Sequence, residues 1–395
     1  MAQYKVNLDK FVVLLLFFVS IILLHFIGAT GVNIDERFIV LFFFLLAIVT
    51  FKRNAIHSIV YVFWMFFFSW FTSDMEPLST PDSYKYFSEA FGGGYYRTKS
   101  FSDIIYGHVP IVEVGGLIIR SIGQLLVTTD IKLIVAFNIV LLIESSVILS
   151  RLFQERFGLS NKSALLLFVL MCISPSAVNV GLELLKDMYV FFCITVSLYL
   201  IERADYKPMS SYIAIFFIVS IASLLRVYFI LILTSYCLIF FYDRKKILIV
   251  SLLLSSVYFA FSILILKSTP VSIFLGSLST MSTPNFSRAS NWMEFPLMTL
   301  ESLLYTCAFS IVVLELLRKK FYGKLIIYIY VFIFAGSILS GVSQNRILSD
   351  AHYVNSGSVL NDDMSRKKIP FIPLYLCSFF LFFNVRKCNY SPVSH

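Results

Sequence analysis

Apolar runs recur along the whole chain, separated by short polar links. They read as helices near 11–30, 38–52, 56–72, 131–150, 163–179, 187–201, 210–225, 228–242, 247–266, 296–316, 325–341 and 369–385. Continuous runs of this kind approach the ~20 residues that carry a helix across hydrocarbon, and helix is the only spanning structure they support. The pattern predicts an all-α, polytopic transmembrane protein of about 12 spans, built as a single integral membrane domain over 1–395.

The polar links carry the orientation. Basic residues gather at Lys52-Arg53, at Arg151 with Arg156 and Lys162, at Arg203 with Lys207, and at Arg244-Lys245-Lys246. Further clusters stand at Arg318-Lys319-Lys320 with Lys324 and at Arg386-Lys387. Short links rich in Lys and Arg stay cytoplasmic. The expected arrangement has both termini in the cytoplasm and outer loops at 73–130, 267–295 and 342–368, with a short outer link at 180–186. One apolar stretch, 109–127, cannot be a span in this scheme, because counting it would put Arg244-Lys245-Lys246 and Arg318-Lys319-Lys320 outside. Its Glu113, Gly115-Gly116 and Arg120 fit a re-entrant or interfacial helix on the outer face.

Composition agrees with the pattern. Hydrophobic residues make up 58% of 395, with 42 Phe and only 14% charged residues, more apolar surface than a soluble chain of this length can hide. The net charge of +9 sits in the membrane-flanking links, so it argues against nucleic acid as a partner. Six cysteines lie mostly in or beside apolar runs and read as small hydrophobes. The first run, after Lys5 and Lys10, reads as an uncleaved anchor because more spans follow at once. No zinc spacing, phosphate-cradling glycine motif or nucleophile elbow is present, and the five His are scattered, so no cofactor and no metal is indicated.

Candidate chemistry therefore lies in the outer segments. In the first, Pro81-Asp82-Ser83-Tyr84-Lys85-Tyr86 puts Asp82 in the first turn of a helix begun at Pro81, with Tyr86 one turn on along the same face. Asp82 is then either an ordinary N-terminal acid of a surface helix or a general base and sugar ligand beside aromatic rings. His108-Val109-Pro110 opens the interfacial element, whose Glu113 either pairs with Arg97 or Arg120 or converges with Asp82. Ser174-Pro175 closes one helix, and Lys186-Asp187 opens the next after Glu183, as an interfacial anchor or as a pocket rim. Arg226 stands in a link with almost no turn residues. Its planar fork suits a phosphate or diphosphate, an ordinary lipid headgroup being the competing ligand. Arg288, Arg346 and Arg366-Lys367-Lys368 extend the anion-binding candidates.

These motifs, in this order, carry a resemblance. The Pro-Asp-x-Tyr segment in a long outer loop, the helix start with Pro110 and Glu113, the Ser-Pro close and the Lys-Asp pair opening a Phe-rich helix together resemble bacterial O-antigen and exopolysaccharide repeat-unit polymerases. That group is similar to the C-type membrane glycosyltransferases. The resemblance covers 60–205 by motif and the rest by architecture. The first acidic loop here follows the third span rather than the first, and no second acid adjoins Asp82 as a metal pair would require.

The resemblance implies joining of undecaprenyl diphosphate-linked oligosaccharide repeat units at the outer face of the bacterial inner membrane. Asp82, Glu113 and Asp187 are then the catalytic candidates. Tyr84, Tyr86, His108, Lys186, Arg226, Arg288 and Arg346 are the candidates for binding substrate, and a chain-length regulator is a candidate protein partner beside membrane lipid. Two rivals stay open. A flippase or transporter of lipid-linked oligosaccharide would show charges in mid-span and paired broken helices, and a membrane O-acyltransferase would need a buried catalytic His.

Overall fold

The computed structural model describes residues 36–51, 55–71, 131–182, 186–204, 208–226, 228–264, 269–281, 295–349 and 368–376, with isolated positions between 102 and 121 and at 291, 293 and 378. Every regular element among them is helical. In chain order these are α1 Glu36–Phe51, α2 Ala55–Phe71, α3 Ile131–Phe157, α4 Asn161–Ile173, α5 Pro175–Gly181 and α6 Asp187–Arg203. They continue with α7 Pro208–Leu225, α8 Phe229–Phe240, α9 Lys245–Leu264, α10 Pro270–Met281, α11 Pro296–Arg318, α12 Tyr322–Ser349 and a 3-10 turn, Ile369–Phe371. Helices α3, α9, α11 and α12 are long and apolar enough to cross a membrane, while α1, α2, α4, α7 and α8 are apolar but shorter.

Burial separates these helices by role. Along α3 nearly every side chain is buried, and Asn138, Glu144, Ser145 and Ser146 are buried with the rest. On α9 the large apolar residues Ile249, Leu253, Val257 and Phe261 are exposed, as befits a helix whose neighbours are lipid tails. Local chemistry sets the ends. The N-cap Ser160 accepts from the Ser163 N–H to start α4, and Gly158, at a φ of 61°, takes the left-handed turn after α3 that other residues resist.

The helices fall into two compact units. The first takes the described residues up to Arg151, with Ala177–Tyr199 and Ile213–Val227. The second takes Leu152–Ser176, Leu200–Tyr212 and the described residues from Tyr228 on. In the first, α1 and α2 form a hairpin around Phe42, Phe43, Tyr61 and Trp64, and the Ser58 hydroxyl donates to the Ala47 carbonyl at 2.7 Å. In the second, α12 packs against α8, α10 and α11. The approach of α10 to α12 is close: a Cβ added at Gly336 would stand 2.5 Å from the Ser277 Cα, and the Ser277 hydroxyl donates to the Ile333 carbonyl at 2.9 Å. Small residues at a crossing let two membrane helices meet backbone to backbone.

Three elements differ from the sequence expectation. The run 163–179 is not one helix: α4 ends at Ile173, where the Ser174-Pro175 close is expected, and Pro175, which lacks the N–H that α4 would need, begins α5. The segment 267–295, read as an outer loop, contains α10. Helix α12 continues to Ser349, so the backbone of Arg346 is helical rather than part of a loop from 342. Of the interfacial element 109–127, only Leu117, Arg120 and Ser121 are described, all helical.

Candidate functional site

Asp187 and Arg226 come together in the first unit. Asp187 is the first residue of α6, where a carboxylate is favoured by the helix dipole, and Arg226 follows the last turn of α7, where a cation is favoured. Arg226 donates from Nη2 at 2.7 Å and from Nε at 3.2 Å, both to Asp187 Oδ1. Asp187 is 2% exposed, and among the described residues no donor reaches its buried Oδ2. The Lys186 side chain is buried beside it. Lys186 and Arg226 are the described cations at these paired helix ends.

A second ionisable group in the same unit lies where the sequence reading did not look. Glu144, near the middle of α3 and fully buried, accepts the Tyr61 phenol hydrogen on Oε1 at 2.6 Å. His57 Nε2 stands 3.3 Å from that same oxygen, and its ring stacks on Tyr61 at 5.2 Å. No donor reaches the buried Glu144 Oε2 among the described residues. The expectation that candidate chemistry lies in the outer segments does not reach Glu144 and His57. An acid in mid-run was the signal available in the sequence.

The second unit holds its own buried cluster. Glu301, in the second turn of α11, accepts from the Tyr305 hydroxyl at 2.7 Å, from the hydroxyls of Ser174 and Ser176, and from the Ser176 N–H at 3.3 Å. It thereby fills the break at Pro175 and satisfies backbone that the proline frees. Lys368, fully buried, donates to Ser302 Oγ at 3.1 Å and lies 4.7 Å from the Tyr305 ring centre, and Tyr305 stacks on Tyr375 at 5.3 Å. Burial pushes the Lys368 ammonium down to about 8, the nearby Glu301 carboxylate working in the opposite sense.

At the other ends of the helices the same unit gathers basic links. Arg156 pairs with Glu202 at 2.7 Å and with Asp243 at 3.2 Å, Arg244 reaches Glu202 at 3.1 Å, and both guanidinium groups lie over the Phe241 ring. Residues from the ends of α3, α6 and α8 meet here.

The other expected site residues divide as follows. His108 is exposed, with Nδ1 3.5 Å from Asp103 Oδ1. Asp82, Tyr84, Tyr86, Glu113 and Arg288 lie outside the described residues, as does the side chain of Arg346. Among the described residues no group of three His, Cys, Asp or Glu could hold a metal ion. No protein-family model, curated protein or solved structure matches the chain.

Proposed function

We propose that this chain is a glycosyltransferase that polymerises undecaprenyl diphosphate-linked oligosaccharide repeat units at the outer face of a bacterial inner membrane. It would cross that membrane about twelve times with both termini in the cytoplasm. The observation that carries the reading is the Asp187–Arg226 pair. Asp187 holds the Arg226 fork at the start of α6 and the end of α7, the ends opposite the basic Arg156–Glu202–Arg244 cluster along α6. A guanidinium held in this way is suited to a diphosphate, and Lys186 adds a second cation.

In the proposed step a hydroxyl oxygen of the acceptor repeat unit attacks the anomeric carbon of the donor glycan. A new C–O bond forms as the bond to the diphosphate breaks, and undecaprenyl diphosphate leaves with the electron pair. The hydroxyl proton passes to a carboxylate, for which Asp82 is the first candidate and Glu113 the second. Arg226 and Lys186 take up the charge that grows on the leaving group, and Arg288 and Arg346 stay as further anion-binding candidates that the resemblance implies. Asp187 acts through Arg226 as a positioning residue, and Tyr84, Tyr86 and His108 flank the sugars.

Glu144 with His57 and Tyr61 favours a second reading, transport of the lipid-linked unit, because a charge in mid-span is what a transporter needs. Asp82→Ala separates the two. Under the polymerase reading, long-chain surface polysaccharide disappears while single repeat units are still labelled at the outer surface. A normal ladder in that variant overturns Asp82 as the base. Repeat units trapped inside in a strain lacking the protein would support transport instead.

A further inference from the structure

An apolar groove of about 150 Å³ opens in the second unit at the level of helix ends. Leu238, Ile239 and Tyr242 reach it from the end of α8, Leu316 from the end of α11, and Lys324 and Ile327 from the start of α12. Lys324 is exposed, with Nζ 5.5 Å from the Phe321 ring centre, and no acid pairs with it among the described residues. The turn just before it carries Arg318, Lys319 and Lys320, and the aromatic side chains of Phe321 and Tyr322 are exposed there. Leu314, Leu317 and Ile326, at the same level, expose large apolar surfaces.

We infer that this groove holds one acyl chain of an anionic phospholipid, with its phosphate against Lys324. Two kinds of complementarity meet here. The walls offer hydrocarbon and almost no polar partner, so a soluble anion gains nothing by entering. The rim offers a lysine, a basic turn and interfacial aromatics, which is how a headgroup level is built. The site lies at the α11–α12 turn, away from Asp187 and Arg226 in sequence and in a different unit. It rests on the chain lying in a bilayer and not on polymerase activity.

The test uses the full chain in nanodiscs containing phosphatidylglycerol with a photoreactive group at the end of one acyl chain, and phosphatidylcholine with the same chain as control. Crosslinked peptides are mapped by mass spectrometry. The inference predicts that phosphatidylglycerol labels 238–242 and 312–328 more strongly than phosphatidylcholine does. Lys324→Ala, at an exposed position, should cut the phosphatidylglycerol signal about fivefold and leave the phosphatidylcholine signal unchanged, as expected for one cation facing an anionic headgroup. Ile327→Trp, which fills the groove, should remove both. Equal labelling by the two lipids, or phosphatidylglycerol labelling that survives Lys324→Ala undiminished, overturns the inference.

Discussion

Arg226 places two of its N–H groups on a single oxygen of Asp187, Oδ1, and the other carboxylate oxygen is buried without a donor among the described residues. A pair arranged in this way is costly to break from one side. Arg226→Ala leaves a buried carboxylate uncompensated and should destabilise the protein by about 3–5 kcal/mol, whereas the double variant Asp187→Leu with Arg226→Met should recover most of that loss. Thermal unfolding in detergent measures both. If the double variant is also as inactive as either single one, stability and activity are separated at this pair; equal destabilisation in all three would show that the two residues do not act together.

Glu144 offers a test of a different kind. Tyr61→Phe removes the phenol that donates to Glu144 Oε1 at 2.6 Å, leaving His57 Nε2 at 3.3 Å beside that buried oxygen, and should cost about 1 kcal/mol. Glu144→Gln is close in shape. On the polymerase reading it should leave the polysaccharide ladder intact, and loss of outward-exposed repeat units in that variant would move the assignment to transport.

Much of this organisation is legible in the sequence, and the reasons for the exceptions are physical. The expected helix 56–72 is found as Ala55–Phe71 and 210–225 as Pro208–Leu225, because unbroken apolar runs bounded by polar links leave little choice. Helix α3 outlasts its apolar run by a turn and more, since Arg156 finds Glu202 and Asp243 at its end and only Gly158 stops it. Lys186, Asp187 and Arg226 were visible as charges at helix ends, though not that one would hold another across 39 positions. Glu301 was passed over because its partners Ser174 and Ser176 lie more than a hundred residues away. A one-dimensional pattern shows where an acid is buried but not what satisfies it.

The meeting of α10 and α12 is predicted to be intolerant of volume. Gly336→Ala puts a methyl 2.5 Å from the Ser277 Cα, a backbone atom that cannot swing aside, and should cost about 1–3 kcal/mol. Ser277→Gly in the same background leaves the clash with that Cα in place, so it should restore little. Melting temperatures of the two variants in one detergent check this.

Lys368 carries a pH dependence. Its proton leaves near pH 8 in the folded protein, against 10.5 for the ordinary lysine value expected of the unfolded chain. Between those two values the unfolded state binds more protons, so stability should rise with pH through that window. Below pH 8 the cost of burying the charge is present in full. Lys368→Met should flatten this part of the profile, which chemical denaturation at a series of pH values would reveal; an unchanged slope would remove Lys368 as its source.

Reconstitution measures directly whether this chain joins lipid-linked repeat units. Purified protein in proteoliposomes is supplied with undecaprenyl diphosphate-linked repeat units, and both glycan length and free undecaprenyl diphosphate are followed. The expected products are chains of many repeats with one undecaprenyl diphosphate released per linkage formed, and both should be lost in Arg226→Lys, whose single ammonium cannot reproduce the fork. Repeat units that cross the bilayer unjoined, with no diphosphate carrier released, would contradict this activity.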